Sequence, residues 1–154
     1  MSLEHEFYLI KGATDIQNFW RQRSETEDVI DSVTINDDVI QYILDTLNWI
    51  PSKNPVLAGS PNERGINYHG VTLFDEKSSY SLKAIFRAWR DLFENSPNHM
   101  ELTGKFIVGD RVESAGQYET LVLERDEVIE AFEHIVAMAG RLGQGGVYLY
   151  HCGI

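Results

Sequence analysis

The sequence predicts an α+β fold, a single-domain two-layer sandwich. An about five-stranded, mostly antiparallel sheet carries three to four helices packed mainly on one face. Three observations predict it. A chain of 154 residues is one domain by length and buries roughly two-thirds of its unfolded surface, enough for a core without staples. Stretches of helical spacing and stretches of strand composition follow one another irregularly, without the strict alternation of a doubly wound sheet. Seven Phe, seven Tyr and three Trp supply apolar bulk that a disordered chain lacks.

The elements follow in order. Glu6–Lys11 is rich in Phe, Tyr, Leu and Ile and reads as a strand that Gly12 ends. Thr14-x-x-Gln17 fits a capping box ahead of Ile16, Phe19 and Trp20 on one helical face. Ser24-x-x-Glu27 fits a second box and predicts a short helix over Val29, Ile30 and Val33. Thr34–Ile35 fits a strand or a turn equally. Asn36 is a good N-cap, and Asp37 and Asp38 suit the positive end of a helix dipole. Val39, Ile40, Ile43, Leu44 and Leu47 form the stripe of that helix, which Pro51 stops. Residues 51–65 form a long surface loop punctuated by three prolines and two glycines.

Ile66–Phe74 is apolar at both alternations, as a central strand would be. Leu82, Ile85, Phe86, Trp89, Leu92 and Phe93 mark an amphipathic helix that starts at Ser78 or Ser79 and ends before Pro97. Leu102–Val108 and Tyr118–Glu124 read as strands, with turn signals at Gly109-Asp110 and Gly116. Asp126 caps a last helix over Val128–Leu142. The glycines at 143, 145 and 146 close it, and Val147–Cys152 is a final strand.

Charge is segregated. Residues 24–48 hold seven acids and no Lys or Arg, and residues 112–140 hold seven acids against Arg125 alone. The rest of the chain is slightly basic within a total of −11. That balance speaks against non-specific nucleic-acid binding and against anionic membranes, since both are polyanions. No apolar run reaches the ~18 residues a membrane span requires. A lone thiol, Cys152, and a start without a cationic, apolar leader fit a cytoplasmic protein.

Motifs with catalytic spacing are absent. The Gly140–Gly146 run follows a helix and precedes a strand, the reverse of a phosphate cradle, so it reads as a C-cap. Glu130 and His134 are spaced to share a metal, but no second ligand cluster accompanies them, and neither a metal nor a cofactor is expected. His151 and Cys152 are strand neighbours that point to opposite faces and do not pair. Ser114 lacks the glycine that a nucleophile elbow needs. Lys83, Arg87 and Arg90 form a basic stripe that pairs with interleaved acids or docks the acidic segments of a second copy, which makes a homo-oligomer one expectation.

Two functions follow. The first is a protein-binding or regulatory module for a basic partner. Bacterial toxin-immunity proteins offer an analogy of size and charge only. Several acids serve helix starts, which leaves Glu25, Asp28, Asp31 and Asp45 with the Glu130–Glu133 ridge for docking. The second is a small-molecule binder or enzyme with a pocket near residues 51–70, involving His69 and Arg64. A concave pocket with convergent titratable groups distinguishes it from the first.

Overall fold

A computed structural model describes residues 3–57, 63–109 and 115–154. The elements are β1 (Glu4–Lys11), α1 (Phe19–Gln22), β2 (Val29–Asn36), α2 (Asp37–Leu47) and β3 (Val71–Phe74). A 3-10 turn at Glu76–Ser78 leads into α3 (Ser79–Phe93), then β4 (His99–Ile107), β5 (Gln117–Glu124), α4 (Arg125–Gly143) and β6 (Val147–Cys152). The α+β architecture is as the sequence predicts, with one more strand than expected. Four strands form an antiparallel sheet in the order β2-β1-β6-β3, and β4 and β5 form a separate two-stranded sheet.

Strand alternation sorts the core. Phe7 and Leu9 of β1, Ile35 of β2, Phe74 of β3 and Leu149 of β6 face the helices. There they meet Val39, Ile40, Ile43 and Leu47 of α2, Phe86 and Phe93 of α3, and Phe132, Ile135 and Met138 of α4. The opposite face carries Ile10, Leu73, Tyr150 and Cys152, and α1 covers it by laying Phe19 on Tyr150. The helices therefore sit mainly, not wholly, on one side. The β4–β5 hairpin stands off the body, with Phe106, Ile107, Val108 and Tyr118 all more than half exposed.

Four expectations are corrected. The Ser24–Asp28 segment is a turn and β2 begins at Val29. Val29, Ile30, Val33, Thr34 and Ile35 are β-branched, which favours strand over helix, and pairing with β1 decides it. The first helix shrinks to Phe19–Gln22, with Asn18 at its N-cap and the Asn18 side chain bonded to Asp15. The strand expected over 66–74 forms over Val71–Phe74 alone. Before it, the Asn67 N–H donates to Thr72 Oγ1 and the Asn67 side chain donates to the Val71 carbonyl, folding a turn instead. The last helix starts at Arg125 with Glu124 at its N-cap position, so Asp126 lies in the first turn and does not cap it. The expected turn at Gly109-Asp110, the Ser114 motif and the middle of the 51–65 loop fall partly or wholly outside the described residues.

Candidate functional site

Three places gather polar chemistry. The first is buried. His5 on β1 and His151 on β6 are both fully buried, side by side across the pair of strands. His5 Nε2 lies 2.9 Å from Asp37 Oδ1 and His5 Nδ1 lies 2.9 Å from His151 Nε2. His151 Nδ1 reaches Thr72 Oγ1 at 3.3 Å. Tyr68 O–H donates to the same Asp37 oxygen, and Gln41 Nε2 donates to the other at 2.6 Å. Asp37 occupies the first turn of α2, where an anion complements the helix dipole.

The donors can be assigned without remainder when both rings are neutral. An ionised Asp37 only accepts, so His5 Nε2 donates to it. His5 Nδ1 then accepts from His151 Nε2–H, and His151 Nδ1 accepts from the Thr72 hydroxyl. Thr72 Oγ1 is in turn satisfied by the Asn67 N–H. Burial lowers His151 to about 3, with the neighbouring His5 adding to it. Burial also lowers His5, against the raising pull of Asp37. Burial pushes the Asp37 carboxyl up, but the bonds from Tyr68, His5 and Gln41 outweigh it and hold it below the usual range. Burial and Asp37 together push the Tyr68 phenol up to about 12. The network ties β1, β6, β3 and α2 together, with His5, His151, Thr72 and Asp37 buried and Tyr68 and Gln41 half-buried at its edge.

The second place is a crevice of about 340 Å³ where β2, β5 and α4 meet. Glu4, Glu124 and Glu127 line it above Ile35, Val39 and Val128, and no Lys or Arg does. Glu124 shares its carboxylate with His99 at 2.6 Å. Nearby, both Asp31 carboxylate oxygens lie 2.8 Å from His134 Nε2, which bolts β2 to α4. That contact joins one acidic stretch of the sequence to the other at a single point, β2 to α4.

The third is a cleft of about 450 Å³ on the opposite face of the sheet. It lies among Trp20 and Arg23 beside α1, Val56 and Leu57 of the long loop, and His69. Arg23 Nε donates to Glu6 at 2.9 Å, and Tyr8 O–H donates to the same carboxylate at 2.6 Å. Cys152 lies in its wall, and burial raises that thiol to about 11, which keeps it neutral.

The sequence-predicted residues are distributed among these places unevenly. Asp31 joins α4 as described. Glu133 bonds Arg90 of α3 at 2.9 Å, which takes Arg90 into an intrachain cluster with Asp91 and Glu94. Glu130 is exposed on α4, while Glu25 and the half-buried Asp28 lie in the turn before β2. Asp45 is exposed on α2 and lines neither the crevice nor the cleft. His69 sits exposed in the turn before β3 rather than mid-strand, and lines the cleft. Arg64 is exposed and donates to the Trp49 carbonyl at 3.2 Å. Among the described residues no cluster of three His, Cys, Asp or Glu is placed to hold a metal ion, and no helix is long and apolar enough to cross a membrane.

Sequence reasoning missed Glu4, Glu124, Arg23, His5 and Asp37 as site residues. His5 and His151 are 146 positions apart, and nothing local to either marks the pairing. The alternation of β1, which places His5 in register with Phe7 and Leu9, was the available signal. No family model matches this chain, and no curated protein or solved structure matches it either.

Proposed function

We propose that the protein is a binding or regulatory module that docks a basic partner on the acidic surface where β2, α4 and β5 meet. The observation that carries this reading is the crevice lined by Glu4, Glu124 and Glu127 with no cation among its lining residues. Glu124 has His99 beside it, but no Lys or Arg lines the crevice to offset Glu4 and Glu127, and a Lys or Arg side chain entering it relieves the repulsion among the carboxylates. The apolar floor gives the aliphatic stem of such a side chain a surface to cover. Val122, on the rim, is 63% exposed and adds an apolar contact beside the charges. The Asp31–His134 contact supports the reading because it holds the two acidic segments together.

The test is an NMR titration of isotopically labelled protein with a ten-residue oligoarginine peptide, set against an oligoglutamate control. Amide shifts are expected at Glu4, Thr34 and Val122–Glu127, weakening as salt rises past ~0.15 M. A triple Glu4→Gln, Glu124→Gln, Glu127→Gln variant is expected to lose those shifts. Shifts scattered over the whole surface, or a triple variant that binds as well as the wild type, would overturn the reading.

A further inference from the structure

Compared with three other clefts of the described surface, the one beside α1 differs in sign. The other three each carry at least one carboxylate in their walls. None of the residues lining this one is Asp or Glu, in a chain with 24 acids. Its ionisable side chains are Arg23, His69 and the neutral Cys152 thiol.

Donors in the wall remain unspent. Arg23 uses Nε on Glu6 and one Nη1 hydrogen on the Trp20 carbonyl, and a guanidinium carries five N–H groups. Among the described residues nothing accepts from either Nη2 hydrogen. The Asn54 side-chain Oδ1 accepts from the amides of Val56 and Leu57, which orients its amide group, and no described residue accepts from its Nδ2. The bond from Arg23 to Glu6, itself held by Tyr8, fixes the guanidinium and lowers the entropy lost on binding. The apolar part of the wall is Trp20, Val56, Leu57 and Val71, and Asn67, Gly70 and Gly153 complete it. Arg21 stacks on Trp20 from another side, 4.8 Å from the ring centroid.

We propose that this cleft is a binding site for a small carboxylate with a flat apolar body, its ring against Trp20 and Leu57 and its carboxylate on Arg23 Nη2 and Asn54 Nδ2. The volume, about 450 Å³, lies within the usual range for small-molecule sites. An apolar body with one anionic end matches a wall of aromatic and aliphatic side chains with a few fixed donors. The site is independent of the acidic crevice, which lies on the other side of the sheet.

The test uses 2-naphthoate as probe and 2-naphthylmethanol as its neutral counterpart, followed by NMR on the full chain. Naphthoate is expected to move the Trp20 indole signal and the amides of Gly70, Val71 and Gly153. The alcohol is expected to bind at least ~10-fold more weakly, since it lacks the negative charge and the second oxygen that pair with Arg23 and Asn54. Arg23→Gln is expected to lower naphthoate affinity by a similar ~10-fold factor and alcohol affinity by less than ~3-fold, since only the acid loses an ion pair. Should that variant not fold, Asn54→Asp places a carboxylate on the wall and is expected to abolish naphthoate binding alone. No shifts at these residues at millimolar naphthoate overturns the proposal. Equal binding of acid and alcohol overturns it too, as does an Asn54→Asp protein that still takes naphthoate at full affinity.

Discussion

Lowering the pH from about 7.5 to about 5 removes ~2 kcal/mol of folding stability through His151 alone. In the unfolded chain that ring titrates at its ordinary 6.5, whereas burial holds it near 3 in the folded one. Unfolded molecules therefore bind a proton that folded molecules refuse, and the equilibrium shifts toward unfolding as the pH drops. The stability is present above 6.5 and is lost progressively as the pH falls toward 3. One unit of pH in this window is worth about 1.36 kcal/mol per proton, and the span from 6.5 to 5 is about one and a half units. The figure requires only that the folded ring titrate below 5. His5 acts in the same direction, because its value is lowered as well. Asp37 is held below its ordinary 3.8 and loses its contribution at lower pH, outside this interval.

Urea titrations followed by fluorescence at the two pH values measure the effect. With a slope of ~2 kcal/mol/M the wild-type midpoint is expected to fall by ~1 M. His151→Phe removes the titrating ring and leaves His5 Nδ1 and Thr72 Oγ1 short of a partner. It is expected to cost ~1–3 kcal/mol at neutral pH and to flatten the pH dependence. Comparing the two proteins cancels the titrating groups that do not touch His151, and leaves His151 with its bonded neighbour His5 as the source of the difference. A wild-type midpoint that does not move between the two pH values refutes the reasoning. So does a His151→Phe protein that keeps the full dependence.

Core and backbone changes give further expectations. Phe132 is fully buried between Phe86 and Phe93, so Phe132→Ala is expected to cost ~3–5 kcal/mol in chemical denaturation. Gly140 lies within α4 with nothing within 4 Å of an added Cβ, and Gly140→Ala is expected to raise stability by ~0.5–1 kcal/mol. Gly153→Ala is expected to lower the Tm, because the added carbon would lie 2.1 Å from the Tyr68 carbonyl oxygen. Opposite signs for these two glycines are the readout, and equal effects would count against both arguments.

Periodic elements were legible and contextual ones were not. The Val39–Leu47 and Leu82–Phe93 stripes sit on the core as spaced, because a helix needs only its own sequence to define a face. Asn36 caps α2 through a 2.7 Å bond from the Asp38 amide, as its residue type suggests. Ser24-x-x-Glu27 was misleading because a capping signal is local, while Val29–Asn36 gains its hydrogen bonds from β1, a distant segment. Ile66–Phe74 was misleading for the opposite reason. Its composition fits a strand, but Asn67 and Gly70 supply turn chemistry that removes the first half from the sheet. The sites needed the tertiary fold altogether. Glu124 and Glu127 are close in sequence at the start of α4, but Glu4 joins them only once β1 and α4 are assembled.

Charge distribution in the folded chain separates structural acids from spare ones. Asp37 is bound by three side chains, Glu6 by Arg23 and Tyr8, Asp75 by Lys53, and Glu133 by Arg90. Each of these stabilises something local. Glu4 and Glu127 are exposed, line the same crevice and face no cation in its wall. In a chain of net charge −11, such carboxylates add repulsion, which for Glu127 opposes the small gain of an acid in the first turn of α4. Glu4→Gln with Glu127→Gln is therefore expected to keep or raise the Tm at low salt. Any gain should shrink as ~1 M salt screens the repulsion. The same double variant should weaken binding of the oligoarginine peptide. Residues kept for a partner at a cost to stability show this opposition, whereas structural acids lose both properties together. A double variant that melts lower than the wild type at every salt concentration would reassign Glu4 and Glu127 to the fold and remove them from the docking surface.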